Sequence, residues 1–464
     1  MKDSLLSRIP NMNSLLEHMP DTGIGRERLK LSAQRFLDEL RSGILAGSVK
    51  DIPSLDECAG QILDRAQAEG VPRLRRVINA TGIILHTNLG RAPLGAELAA
   101  AAADSAGYCN LEYDLDVGQR GDRFSHLEPL ICEITGAEAA IAVNNNAAAV
   151  FLMLSALAKG KRVAISRGEL VEIGGSFRIP EIIGQSGAEL VEVGTTNRTR
   201  LSDYAAAVEE KGAEVLLKVH TSNYRIVGFT ESVSASELAA FGRKKGLPVL
   251  YDMGACLMIE PGRFGLPASE SARDGIASGA DLICFSGDKL LGAAQAGILA
   301  GREALIARMK KHPLARILRP DKLTLSALEA AMRLYRYPEE ALRRIPILAM
   351  LSARPDELRR RAGVLAERLR PLCPGWDIGL CETADEAGGG SLPNDHLPGW
   401  AVMLKPAGSE GRLSVEELDK RLRHGRTPVI LRIHDGAAQI SLRTLLPGED
   451  DELAAAVSTA LTEP

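Results

Sequence analysis

The stretch Cys284-Phe285-Ser286-Gly287-Asp288-Lys289-Leu290-Leu291-Gly292 sets a lysine just past an apolar run and between two glycines. The run 282–285 reads as a buried strand. Six others share its texture, at 140–143, 162–165, 189–193, 215–219, 248–251 and 297–300, most with helical segments between them. Short Val/Ile/Leu runs alternating with helices predict a largely parallel α/β sheet covered on both faces. Such sheets bind ligands beyond the carboxyl ends of their strands. Two of these ends carry chemistry. One is the Lys289 stretch; the other is 248–251, which runs into Asp252-Met253-Gly254-Ala255. A desolvated lysine has a depressed pKa and can form a Schiff base near neutral pH. A carboxylate at a neighbouring strand end can hold the pyridinium nitrogen of pyridoxal phosphate protonated, so that the ring acts as an electron sink. Between a third strand and its helix lies Asn144-Asn145-Asn146-Ala147, where free N–H groups and Asn caps would cradle a phosphate. Singly, each feature has a plainer explanation: a solvated lysine, a turn aspartate, a helix cap. Their order and spacing together favour a cofactor site.

The rest of the chain sets bounds on this reading. At 464 residues it is long enough for two or three domains, and 45% hydrophobic with 25% charged residues is the balance of a globular protein. Residues 5–70 show helical periodicity between Pro and Gly breaks. The segment 321–335 leads out of the sheet; 356–372 reads as a helix and 400–404, 429–433 and 440–442 as strands, reached through the turn Gly388-Gly389-Gly390. The expected domains are therefore a helical one with its linker at 1–76, a cofactor-binding α/β domain at 77–335 and a smaller α+β domain at 336–464. A net charge of −4 exerts no global pull on nucleic acid, so an RNA partner would have to meet a local patch such as Arg26, Arg28, Lys30, Arg73, Arg75 and Arg76. Seven cysteines without a CxxC pair, and histidines outside HExxH spacing, predict no metal site. There is no phosphate-binding GxxxxGK[ST] loop and no GxSxG elbow. The longest apolar stretch, 147–158, is too short to span a bilayer and the opening residues do not read as a secretory signal, so a cytoplasmic protein without a membrane partner is expected.

The motifs Asn79-Ala80-Thr81-Gly82, His86-Thr87-Asn88-Leu89-Gly90-Arg91, Asn110-Leu111-Glu112-Tyr113-Asp114 and Gly118-Gln119-Arg120-Gly121 resemble those of bacterial selenocysteine synthase, the L-seryl-tRNA(Sec) selenium transferase family. Further matches are Val143-Asn144-Asn145-Asn146-Ala147, Gly168-Glu169-Leu170-Val171-Glu172-Ile173-Gly174-Gly175, Ser286-Gly287-Asp288-Lys289, Arg316-Ile317-Leu318-Arg319 and Gly388-Gly389-Gly390-Ser391-Leu392-Pro393, so the likeness runs from about residue 5 to 450. After the lysine the family pattern has Leu-Leu-Gly-Gly-Pro-Gln-Ala-Gly, where this chain has Leu290-Leu291-Gly292-Ala293-Ala294-Gln295-Ala296-Gly297.

The resemblance implies a fold type I, aminotransferase-like enzyme with pyridoxal phosphate on Lys289. It also implies Arg91, Arg316 and Arg319 around the phosphate of selenophosphate, although Arg316 and Arg319 alone could be a plain basic helix face. The implied reaction turns seryl-tRNA(Sec) into selenocysteinyl-tRNA(Sec) through a dehydroalanyl intermediate, with Asp288 a candidate for proton delivery to the leaving hydroxyl. By the same resemblance, residues 1–76 bind the tRNA, against a plain dimerisation role, and the assembly is a ring of dimers, a decamer. Arg443 lies where related enzymes hold a substrate carboxylate; an esterified serine has none, so Arg443 reads as structural or phosphate-directed. Two other functions stand beside this one. One is a related pyridoxal-phosphate lyase acting on a small amino acid or amino sugar phosphate, which would not need the N-terminal module. The other is a non-catalytic RNA-binding scaffold.

Overall fold

In the computed structural model, residues 5–20, 22–175, 177–266, 270–392, 396–408 and 413–462 are described, and Pro393 of the glycine-rich motif lies outside them. The chain forms two compact units, 1–76 and 77–464. The first holds helices α1 (Met12–His18), α2 (Arg26–Ala46) and α3 (Leu55–Gly70) around Leu15, Phe36, Leu37, Ile44, Cys58 and Ile62. Helix α3 begins with a capping box in which Ser54 and Glu57 satisfy each other's backbone amides. Arg26, Arg28 and Lys30 are exposed at the start of α2, and Arg73, Arg75 and Arg76 are exposed after α3.

The second unit opens with strand β1 (Ile78–Ala80) and is built on a sheet of β2 (Ala139–Val143), β3 (Arg162–Ser166), β4 (Glu189–Val193), β5 (Val215–Val219), β6 (Val249–Gly254), β7 (Leu282–Ser286) and β8 (Gly297–Gly301). The spatial order is β2-β8-β7-β6-β5-β3-β4. All pairs are parallel except those of β8, which runs antiparallel to both β7 and β2. Strands β2, β6, β7 and β8 are buried at every position, as expected of strands covered on both faces. The parallel strands thus end at one edge, where β8 begins, and an apolar core lies on each face of the sheet.

A second sheet, in the order β1-β11-β12-β10-β9, comprises β1 with β9 (Trp376–Glu386), β10 (His396–Pro406), β11 (Val429–His434) and β12 (Ala437–Ser441). Two expectations change here. The cores do not divide at residues 335 and 336: Ile78 and Ala80 pack with the second sheet, while Ile345, Ile347, Leu348 and Leu351 pack under the first. The three glycines 388–390 do not lead into the second sheet either. They follow its strand β9, with φ of 71°, 64° and 68°, and Cβ atoms on Gly388 and Gly389 would lie 2.4 Å from Ile83 and 2.9 Å from Leu85.

Candidate active site

Three strand ends and a helix start meet at the carboxyl edge of the first sheet. The register slips between Asp252 and Gly254, a bulge of the kind that re-aims side chains beside functional sites. Asp252 is 3% exposed, and three donors converge on its Oδ1: Asn146 Nδ2 at 2.8 Å, the Gly254 amide at 2.9 Å and Cys284 Sγ at 3.6 Å. Oδ2 takes no hydrogen bond among the described residues. Burial pushes the pKa of this carboxyl above the usual range, and the three donors and Lys289 pull against that rise.

Lys289 is 5% exposed and its Nζ makes no hydrogen bond or ion pair among the described residues. Its loop is fixed from several sides. The Gly287 amide bonds the Ala296 carbonyl at 2.8 Å, and Tyr335 at the end of its helix (Lys322–Tyr335) donates its hydroxyl to the Leu291 carbonyl at 2.5 Å. A Cβ on Gly287 would fall 2.6 Å from the Ala294 carbonyl oxygen, so the tight return needs glycine. The lysine pKa lies below the ordinary value, first through burial and then through the Arg91 guanidinium, with Asp252 and Asp288 opposing.

The asparagine run divides its work. The Asn144 amide is taken by the Leu318 carbonyl at 2.8 Å, and Asn145 caps the next helix (Asn146–Leu157) by accepting from the Ala148 amide at 2.8 Å. Asn146 reaches Asp252. The expected four-residue phosphate cradle therefore loses the Asn144 amide, while those of Asn145, Asn146 and Ala147 find no acceptor among the described residues. Gly297 makes this packing possible, since a Cβ there would sit 2.1 Å from the Asn145 carbonyl oxygen.

Within the chain, the three arginines that the resemblance groups meet different partners. Arg91, in a left-handed conformation at φ 64°, pairs with Asp288 at 2.7 Å. Arg316 and Arg319 instead line an open cleft of about 500 Å³ with Glu112, Arg120, Asp122, Arg123 and Lys310, and Arg91 is not part of its wall. Arg443 is no clamp: Asp385 and the carbonyls of Met350, Ala353 and Pro398 occupy its guanidinium.

Sequence reading passed over His220 and Ser222. Both follow β5, so the strand-end rule that found Asp252 could have found them. Burial holds the His220 imidazole below its ordinary pKa. Ser222 Oγ and Asn146 Oδ1 are buried and have no partner among the described residues, and a Cβ on Gly254 would lie 3.3 Å from the Ser222 hydroxyl. A free buried amine, a carboxylate with one open oxygen, free helix-start amides and these polar atoms between them fit a phosphorylated pyridine aldehyde.

A mostly parallel, doubly covered sheet with this lysine and aspartate at adjacent strand ends defines a fold type I pyridoxal-phosphate enzyme. Among solved structures, D-glucosaminate-6-phosphate ammonia-lyase shares the fold at a TM-score of 0.57 and 21% identity, covering 85% of this chain and 97% of that one. Residues 77–446 match the L-seryl-tRNA selenium transferase family. The L-seryl-tRNA(Sec) selenium transferase of Moorella thermoacetica is 48% identical over 465 residues, 99% of this chain and 97% of its own. That of Geobacter sulfurreducens is 45% identical over 467 residues, 99% of each. The chain belongs to this family, and is a pyridoxal-phosphate-dependent transferase converting seryl-tRNA(Sec) to selenocysteinyl-tRNA(Sec). Relatives of this kind align through the N-terminal module as well, which favours the transferase over the lyase.

Proposed function

We propose that the chain takes selenium from selenophosphate and places it on the seryl group of tRNA(Sec), with Lys289 as cofactor anchor and proton carrier. The observation that carries this reading is the unpaired, buried Lys289 amine beside a buried carboxylate at neighbouring strand ends. Bound pyridoxal phosphate supplies a sink for negative charge at the seryl Cα. Asp252 would pair with the pyridinium nitrogen, and the Asn146 and Ala147 amides would hold the phosphate at a helix start. Once free, Lys289 Nζ takes the Cα proton. Loss of the seryl hydroxyl would leave a dehydroalanyl group on the tRNA; selenium would add to its Cβ while Lys289 returns a proton to Cα, and water would take the phosphoryl group as the P–Se bond breaks, leaving inorganic phosphate. Arg316 and Arg319 clamp the donor phosphate, as planar guanidinium groups do. Arg91 pairs with Asp288, the candidate for proton delivery to the leaving hydroxyl. Asn144 and Asn145 set the geometry of the helix start.

Residues 1–76 bind the tRNA body through the exposed basic residues about α2 and α3. The assembly is a homo-oligomeric ring of dimers, a decamer; Val227 and Phe229, each 85% exposed, are the kind of apolar surface that subunit contacts cover. No helix among the described residues is long and apolar enough to cross a membrane. A cytoplasmic location suits a tRNA substrate. Incubation with seryl-tRNA(Sec) and selenophosphate should yield selenocysteinyl-tRNA(Sec); turnover of free small amines alone would favour the lyase.

Two substitutions test the site. Asp252→Asn keeps an acceptor for Asn146 but loses the charge that opposes the pyridinium, so turnover should fall about 100-fold with cofactor still bound. An unchanged rate would remove Asp252 from the site. Arg91→Met should act on pH dependence. Cofactor capture needs the neutral amine, so its rate climbs as pH rises through the lowered Lys289 pKa. Removing Arg91 deletes a cause of that lowering and frees Asp288, and both effects move the inflection to higher pH. Stopped-flow absorbance of the apoenzyme mixed with cofactor reads this directly, and an unmoved inflection would show that Arg91 does not tune the amine.

A further inference from the structure

The wall of the 500 Å³ cleft carries five cationic side chains and two carboxylates, and one of those carboxylates is surrounded. Glu112 Oε1 takes Arg123 at 3.1 Å and Arg319 at 3.5 Å, while its Oε2 takes Arg120 at 3.3 Å. Arg123 is also tied to the Pro320 carbonyl at 2.9 Å, whereas Arg319 has the longest and weakest of the three contacts. Arg316 is exposed and makes no hydrogen bond or ion pair among the described residues. The cleft thus offers one free guanidinium and one loosely held by an internal anion.

We propose that Glu112 is a displaceable counter-ion for the donor's phosphate. With the cleft empty it keeps the Arg319 guanidinium extended and prevents mutual repulsion from scattering the arginines. An entering phosphate dianion carries more charge than the carboxylate, takes Arg316 and Arg319 together, and leaves Glu112 to Arg120 and Arg123. After selenium transfer the carboxylate competes for Arg319 again and helps expel inorganic phosphate. Glu112 is a positioning residue on this account, and it sets how tightly the cleft retains a phosphate oxyanion. The inference rests on the proposed donor role of Arg316 and Arg319.

The test is calorimetric titration of the full-length protein with inorganic phosphate, together with phosphate inhibition of selenocysteinyl-tRNA formation. Glu112→Gln removes the competing charge but keeps an acceptor for Arg123, so phosphate should bind and inhibit roughly tenfold more tightly. A purely structural glutamate predicts the opposite sign, because loosened arginines bind phosphate less well. Glu112→Asp retains the charge with a shorter reach and should give a smaller tightening, which supplies the same sign should the glutamine variant not fold. Unchanged or weaker phosphate binding in these variants overturns the proposal. Arg316→Gln tests the underlying reading separately, since phosphate affinity unaffected by that change means the cleft is not the donor site. Filter binding of tRNA(Sec) to Glu112→Gln should match the unaltered protein; tighter tRNA binding without tighter phosphate binding would mean that the cleft reads phosphodiesters, and would also overturn the proposal.

Discussion

Replacing Lys289 with alanine is expected to lower selenocysteinyl-tRNA formation by at least about 1000-fold, since it removes both the covalent anchor for the cofactor and the base for the Cα proton. Lys289→Arg should fare no better, because a guanidinium stays protonated and cannot serve as the nucleophile. Folding should not suffer. The amine is buried without a hydrogen bond or ion pair among the described residues, so its removal relieves a desolvation cost and the apo form of the alanine variant should melt no lower than the unaltered protein. Borohydride reduction of the holoenzyme, digestion and mass spectrometry should place the pyridoxyl group on Lys289. A competitor by position is Lys218 on β5, but its Nζ is already engaged by Glu169 at 2.6 Å. An adduct on Lys218, or an alanine variant within tenfold of full activity, would sink the assignment.

That anchor was readable because the forces that place it are local. A strand buried on both faces must be apolar throughout, so 282–285 stands out in the sequence, and the residues after it fall at the ligand edge. Strand β9 was not readable for the converse reason. It lies at the edge of its sheet with most positions partly or fully exposed, and Asp377, Gly379 and Glu382 interrupt any apolar signal. Strand β1 has only three residues and acquires its identity from pairing with β11, some 350 positions away. The glycine triplet signals a turn, but that the turn packs on Ile83 and Leu85 after a strand is a tertiary fact. At the site, Asp252 and Lys289 announce themselves by position, whereas the Arg91–Asp288 pair closes across 197 residues and no spacing rule reports it. Glu112 was visible only as one letter of a motif; of the three arginines that give it meaning, Arg120 and Arg123 lie 8 and 11 positions on and Arg319 lies 207 away.

Arg443 is the residue where that difference has the largest energetic consequence. Its side chain is 2% exposed and its Nε donates to Asp385, itself 1% exposed, at 2.9 Å. The remaining nitrogens bond the carbonyls of Met350 at 2.7 Å and Ala353 at 3.3 Å, at the end of the helix Pro346–Ser352, and of Pro398 on β10 at 2.6 Å. Asp385 also accepts from Thr383 and Ser441, and Cβ atoms on Gly82 and Gly399 would lie 2.4 and 2.0 Å from its oxygens. One guanidinium therefore joins both cores of the unit. Arg443→Met should destabilise the protein by about 3 to 5 kcal/mol, the cost of stranding a buried charge. Burial already raises the Asp385 pKa and Arg443 is the main influence lowering it, so in the methionine variant that pKa rises further above its unfolded value. A raised carboxylate pKa means that the folded state binds the extra proton, so the variant loses stability as pH climbs from the unfolded carboxyl range through the raised value, and regains it on acidification. The double variant Arg443→Met/Asp385→Asn should recover part of the loss near neutral pH. Urea unfolding at pH 7 and pH 5 measures both effects. A single variant within about 1 kcal/mol of the unaltered protein, or a double variant whose losses simply add, would show that the pair does not hold the two cores together.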